Sequence, residues 1–366
     1  MKALYKSIGT VLMMAVLAGC AGDVVMMKPL TPKSQLTNEQ GVVVATVVDT
    51  SGYPLPFNQL TFTPENVNES KKIKPIRLMS QKGPRTGTTT FAAPVKAGSY
   101  AVSSIRSFYS RGDYWYSRFA STNVTMGTFK VEPGKVTDLG TLVYYAKPDG
   151  DRYKDILVRV PDYQNELGKI LKEKYSFFEF DQNNVLTWNE DERDDERGAT
   201  FASIAQNPVA FEERYLAPNN KLYFLSQLGV FLSLDESGEF EISAIDTNNA
   251  LTNMAQNTQG INVIADSMGN LYQQGFDEEW QKLDLQIGSR VHKLLFADDE
   301  NLNILSSNGT TLLVNNLNVL TGEFTELNKY SRSKGWQTAT GAEKERQAHQ
   351  TKKKTPRDHM ITYADF

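Results

Sequence analysis

Gly41-Val42-Val43-Val44-Ala45-Thr46-Val47-Val48, followed by Asp49-Thr50-Ser51-Gly52-Tyr53-Pro54-Leu55-Pro56, is the stretch that decides how this chain is read. The β-branched run predicts a strand, and the Asp, Gly and Pro residues behind it supply turn chemistry. Further short apolar stretches follow: Leu60 to Thr63, Thr86 to Phe91, Gly98 to Ile105, Gly127 to Val131, and Val136 to Leu142 after Pro133-Gly134. Such a series of short strands with no helical period predicts an antiparallel β-sandwich over residues 41–147.

The opening strand with its Asp49 to Pro56 turn, together with Ala97-Gly98-Ser99-Tyr100, Phe129 to Gly134 and Leu139-Gly140, resembles the transthyretin-like or carboxypeptidase-regulatory-like sandwiches of exported proteins. The resemblance spans Gly41 to Tyr145. It implies an accessory module without catalytic residues, so it carries no site onto this chain.

Upstream, Lys2 and Lys6 precede an uncharged apolar run from Ile8 to Leu17, which is too short to span a bilayer as a mature helix. The run ends in Leu17-Ala18-Gly19-Cys20, which resembles the lipobox of bacterial lipoproteins. That resemblance implies a signal peptide over residues 1–19, acylation of Cys20, and a lipidated tether over residues 20–40. Two or more acyl chains anchor stably, because each buried CH₂ contributes ~0.8 kcal/mol. Ala21 follows the cysteine where aspartate is the usual inner-membrane retention signal, so the expected location is the outer membrane, periplasmic face.

Downstream, Pro148-Asp149-Gly150 reads as a boundary, and Leu167, Ile170 and Leu171 stand at helical spacing, giving a linker with one short helix over residues 148–175. Over residues 176–330 one phrase recurs: apolar strand, Asp/Asn/Gly turn, apolar strand. Taking Asp181, Pro218, Asp266 and Asp298 as equivalents gives four copies at steps of 37, 48 and 32 residues. Matching Gly229, Gly269 and Gly309 instead gives two steps of 40. Units near that length resemble β-propeller blades, so a propeller-like or partial-propeller domain is expected. The alternative is a β-rich domain of stacked hairpins. The fold class is therefore mainly β: sandwich, short helix, repeat domain.

The chain has 366 residues, one cysteine, three histidines and a formal net charge of −4. Low mean hydropathy excludes a polytopic membrane protein, and near-balanced charge argues against a dedicated nucleic-acid binder. A single cysteine permits neither an internal disulfide nor a cysteine-rich metal site. The balance hides an asymmetry. Residues 329–366 hold nine Lys/Arg against four Asp/Glu, whereas residues 20–328 carry −11, much of it in Glu190 to Glu196. From residue 331 the chain has no apolar period and includes Lys352-Lys353-Lys354, so residues 331–366 read as a basic disordered tail. Such a tail could be solvated and functionless, contact anionic glycan or lipid, or clamp an acidic partner.

No motif for nucleotide binding, zinc hydrolysis or a nucleophile elbow occurs. His349 and His359 lie in the basic tail and His292 in an expected strand, so histidine-based catalysis is excluded, and no cofactor or metal is expected. Asp181-x-Asn183 begins like a calcium loop, but Leu186 stands where the sharp turn needs glycine. Asp181, Asp266 and Asp298 recur in turns, where such residues bond their own backbone; an acid pair for glycoside hydrolysis is the competing role.

The segment that invites a binding role is Ser107 to Phe119. Six of the twelve residues from Phe108 onward are aromatic, with Arg106, Arg111 and Arg118 interleaved. If Tyr114-Trp115-Tyr116 is a strand, its aromatics point to both faces, and a one-layer core absorbs only one. Tyr114, Trp115, Tyr116, Arg111 and Arg118 are thus the candidate surface, suited to a protein partner or to sugar rings. The expected function is an outer-membrane lipoprotein that binds or scaffolds an envelope assembly, without catalysis. The alternative is a glycan-binding or carbohydrate-active envelope protein.

Overall fold

A computed structural model describes residues 24–331, except 52–56, 66–73, 81–86, 112, 123–125, 150–151, 161–166, 176, 207–210, 276–278, 286, 289 and 309–310. The expected lipobox with Cys20, the turn from Gly52 to Pro56, Gly309, His349, His359 and the Lys352–Lys354 cluster lie outside the described residues.

The first part contributes β1 (Val25–Met27), β2 (Gln40–Asp49), β3 (Gln59–Pro64), β4 (Ile76–Met79), β5 (Thr88–Lys96), β6 (Gly98–Arg111), β7 (Tyr114–Ser121), β8 (Thr128–Val131), β9 (Val136–Asp149) and β10 (Arg152–Arg159). One sheet runs β1-β4-β3-β6-β7, with β8 also on β6; the other runs β10-β9-β2-β5. Between them lies one core that includes Val43, Ala45 and Val47 from β2, Phe62, Phe91, Ile105 and Phe129. Among the described residues the sandwich is antiparallel apart from three pairs: β2 runs parallel to β9, β1 parallel to β4, and the two-residue strand Val185–Leu186 parallel to the start of β9.

Alternation alone would leave the even residues of β2 facing water. Val42 and Val44 are nevertheless fully buried, because this second face is covered by Leu30, by helix α1 (Leu167–Lys174) and by Met268. Farther along the same sheet, Val48, Val143 and Val158 meet Ile204 and Leu228. A strand buried on both faces needs a continuous apolar run, and Val42 to Val48 is one. Each fully buried valine there contributes roughly 1.5–3 kcal/mol.

One feature of the expected linker and two of the expected repeat region differ from the sequence expectation. Pro148 lies within β9, and β10 folds back on it as a hairpin, with Arg152 opposite Asp149. The phrase beginning at Phe178 is not a blade. Asp181 caps a 3₁₀ turn (Gln182–Asn184), and β11 (Val185–Leu186) joins the sandwich beside the start of β9. The acidic run continues into a second helix, α2 (Asp194–Ala205), whose first turn holds Asp194, Asp195 and Glu196, where the helix dipole favours negative charge.

The repeat region forms three four-stranded antiparallel sheets. Blade 1 is β12 (Phe211–Leu216), β13 (Leu222–Ser226), β14 (Val230–Leu234) and β15 (Phe240–Ala244). Blade 2 is β16 (Leu251–Gln256), β17 (Asn262–Asp266), β18 (Leu271–Gln274) and β19 (Trp280–Leu283). Blade 3 is β20 (Arg290–Phe296), β21 (Asn301–Asn308), β22 (Thr311–Asn318) and β23 (Phe324–Ser331). The blades stack face to face through two apolar layers, one joining Tyr223, Leu225 and Phe231 to Met254 and Ile264, the other joining Val263 and Leu271 to Leu294 and Ile304. Among the described residues three blades make an open arc, against the four copies expected.

The register of 40 residues is the structural one. Pro218 and Asp298 sit in the turn between a blade's first and second strands, whereas Asp266 opens the turn between the second and third. Asp and Asn suit both turns, so they do not mark a unique position. Gly229 and Gly269 do, with φ of 70° and 77° in the second turn. A Cβ on Gly229 would stand 2.2 Å from the Ile245 carbonyl oxygen. The preceding Leu228 also has positive φ (58°), a strained conformation for leucine, and its buried side chain packs against the sandwich.

Candidate functional site

β6 and β7 form a long hairpin at one edge of the sandwich, paired from Ser104 opposite Ser121 to Arg111 opposite Tyr114. Ala120 lies in the core, so the even residues of β7 face inward and the odd residues outward. Trp115 and Phe119 therefore share the outer face with Phe108 and Arg106 of β6. Trp115 is 69% exposed, and Phe108 and Phe119 are exposed beside it. The Trp115 and Phe108 rings stack with centroids 5.1 Å apart and planes 20° from parallel. The Arg106 guanidinium lies 5.0 Å over the Phe108 ring, and its Nε donates to Ser117 Oγ at 3.2 Å. Asn58 fixes the root of this row, donating to the Phe108 carbonyl at 2.5 Å and accepting from the Phe108 N–H at 3.1 Å. The result is an ordered aromatic strip with one cation, presented on an edge hairpin.

The five candidate residues do not make one surface. Tyr116 and Arg118 point to the face opposite Trp115. Arg118 is bound into the structure: its Nη1 donates to Asp49 Oδ2 at 3.3 Å and to Ser51 Oγ at 2.9 Å, and it lies 5.5 Å over the Tyr144 ring. Asp49 is completely buried, which makes Arg118 its counter-charge instead of a ligand contact. Tyr144 in turn donates to Asp155 Oδ1 at 2.5 Å. Burial, reinforced by that carboxylate, pushes the phenol well above its usual range, so it stays protonated. The side chains of Arg111 and Tyr114 lie outside the described residues. Arg106, Phe108 and Phe119, all named in the aromatic segment but not among its five candidates, complete the strip; the hairpin register sorts them, because it puts Phe108 and Trp115 on the same face.

The recurring turn carboxylates are not assembled. Asp181 lies outside the blades and accepts from the Asn183 N–H. Asp266 is wholly buried and accepts from the Met268 and Asn270 N–H groups, the side chains of Asn249 and Asn270, and the Tyr272 hydroxyl. Asp298 accepts from the Glu300 and Asn301 N–H groups, and the Glu300 bond leads the contacts that lower its pKa. Asp266 and Asp298 occupy turns at opposite ends of their strands, so they lie on opposite rims of the arc. His292 Nε2 pairs with Ser307 Oγ at 2.8 Å, at a bulge in β20.

The acidic run hides a buried ion cluster. Arg159, at the end of β10, is 1% exposed; it pairs with Asp194 and lies 4.7 Å over the Trp188 ring. Arg197 of α2 donates to Asp194 Oδ1 at 2.6 Å and to Asp191 Oδ2 at 2.8 Å. The Arg197 bond, backed by Arg193, holds the Asp191 carboxyl far below its usual range. This cluster clamps α2 against the sandwich. The three first strands β12, β16 and β20 line an open groove of about 750 Å³. Its polar groups are largely engaged, with Asn253 donating to the Val291 carbonyl and Thr258 to Asp299.

No known family matches the chain, and no curated protein does either. Among solved structures it is similar to an auxiliary nutrient binding protein from Bacteroides ovatus, at 11% identity over 81% of this chain and 60% of that one, with a TM-score of 0.27. It is also similar to YCF48 bound to a D1 peptide, at 9% identity over 80% of this chain and 84% of that one, with a TM-score of 0.28. A protein from Lactobacillus plantarum gives 10% identity, 75% and 82% coverage and a TM-score of 0.27. Similarity at this level carries no argument about function.

Proposed function

We propose that this protein is a lipid-anchored envelope component, held through Cys20 on the periplasmic face of the outer membrane, which binds a protein partner without catalysis. The observation that carries the binding role is the outer strip of Phe108, Trp115 and Phe119. Binding a partner costs least where side chains are already ordered, and here stacking and Asn58 order them in advance. Tryptophan and arginine are also the residue types that concentrate binding energy at protein interfaces. The support for anchoring is the Leu17 to Cys20 lipobox resemblance. The tail with Lys352 to Lys354 supplies a second, salt-sensitive contact for anionic wall polymer.

Pull-down from detergent-solubilised envelopes tests the binding role. A stoichiometric protein partner should be recovered by the native chain and lost with Trp115→Ala/Phe119→Ala; recovery of background proteins alone would overturn it. Peptidoglycan pelleting that depends on Trp115 would move the strip to the glycan reading. For the anchor, Cys20→Ser should abolish lipid labelling and release the protein, and unaltered membrane association would refute it.

A further inference from the structure

The two covered faces and the open face of the repeat arc can be compared position by position. In blade 2 the row facing blade 1 is Gln256, Asn262, Gln274 and Trp280, paired across the four strands. It is largely polar and internally bonded: Gln256 donates to Asn262 at 2.9 Å, and Asn262 to Gln274 at 2.8 Å. In blade 3 the row facing blade 2 is Phe296, Leu302, Leu317 and Phe324, packed in the apolar layer between those blades. The matching row of blade 1 is Leu216, Leu222, Leu234 and Phe240. It is entirely apolar, and among the described residues no blade precedes it. Leu216 is 63% exposed and Phe240 67%, with Ile242 and Phe211 exposed beside them. This row of the open face is thus more apolar than the matching row of blade 2. A contiguous apolar face of this kind marks an interaction surface.

We infer that the occupant is blade 3 of a second copy of this chain, so that two arcs close into one ring. The contact follows from the two already present. Tyr215 of blade 1 meets Gln256, its hydroxyl accepting from the Gln256 N–H at 2.9 Å, and Ala255 of blade 2 meets the layer holding Phe296. The next step of 40 residues puts Leu295 of one copy against Leu216 of the other. Leu295 is 46% exposed on the open face of blade 3. Likewise the Phe231–Trp280 edge contact at 5.7 Å has its counterpart in Val314 against the second copy's Phe240.

Closure selects the stoichiometry. Closed propellers hold about four to eight blades, so two arcs of three fit that range and three arcs exceed it. The contact is head to tail, and it ends in a ring only because the second interface repeats the first. The apolar contacts of the sandwich with blades 1 and 2 run through Leu228 and Met268, both in turns between a blade's second and third strands.

The test uses the full chain carrying Cys20→Ser, which removes the only native thiol. Analytical ultracentrifugation should give twice the chain mass, and Leu216→Glu/Phe240→Glu should halve it without changing the far-ultraviolet circular dichroism. Under oxidation, Leu216→Cys/Leu295→Cys should give one covalent band at twice the chain mass that reductant returns to monomer. A monomer at every concentration overturns the inference, whether the chain's own tail or a different protein covers the face. So does a dimer that survives the double glutamate variant. A ladder of cross-linked species above the dimer would refute closure.

Discussion

The two sheets of the sandwich share one core but differ in what lies on their other faces. The β10-β9-β2-β5 sheet is covered by α1, α2 and two blade turns, and its central strand is apolar at every position except Thr46 from Val42 to Val48. The β1-β4-β3-β6-β7 sheet keeps its second face open, and there Trp115, Phe119 and Phe108 stand in water. One sheet spends its outward residues on joining the parts of the molecule; the other keeps them available. An aromatic means different things on the two sheets, and only the cover distinguishes them.

The largest effect should come from charging the covered face. Val44→Asp puts a carboxylate between β2 and α1 with no partner, and should cost roughly 3–5 kcal/mol, read as a fall in the urea midpoint. A midpoint close to native would mean that α1 does not hold that face. The clamp at α2 comes next. Asp191→Asn should cost on the order of 2 kcal/mol at neutral pH, where Arg197 and Arg193 bind the carboxylate. Because the folded carboxyl titrates below its ordinary value of 3.8, this contribution is complete above that value and is lost as pH falls through the lower folded one. The native and Asn variants should therefore converge in stability at acid pH; a constant gap would break the assignment. The smallest effect belongs to the open face, where Phe119→Ser should change stability by no more than about 0.5 kcal/mol while weakening partner capture.

Much of this contrast is legible in the sequence. The run from Val42 to Val48 marks the central strand, and Leu167, Ile170 and Leu171 mark α1, whose three side chains are all buried. α2 is not legible, because Asp194 to Glu196 read as solvated charge and only Phe201 and Ile204 supply an apolar face. Of the counter-charges that fix it, Arg197 stands three residues from Asp194, but Arg159 stands thirty-five residues from it, a pairing that no local pattern carries. Blade spacing is legible from glycine, where positive φ leaves little choice of residue, and misread from aspartate, which serves several kinds of turn. At the hairpin, composition identifies the aromatics but not their sorting. Asp49, more than sixty residues away, takes Arg118 out of the surface, and this is fixed by the fold alone.

The rim contacts of the sandwich also have a mechanical consequence. Leu228 and Met268 dock on the same sheet from neighbouring blades, and Lys169 of α1 adds a hydrogen bond to Asn270 at 2.7 Å. A load pulled through the sandwich is thus shared by two hairpin turns in parallel instead of passing along the single chain segment between α2 and β12. Two separated bearings resist twisting where one would act as a pivot. Leu228, held at positive φ, is the buried pin of the first of these two contacts.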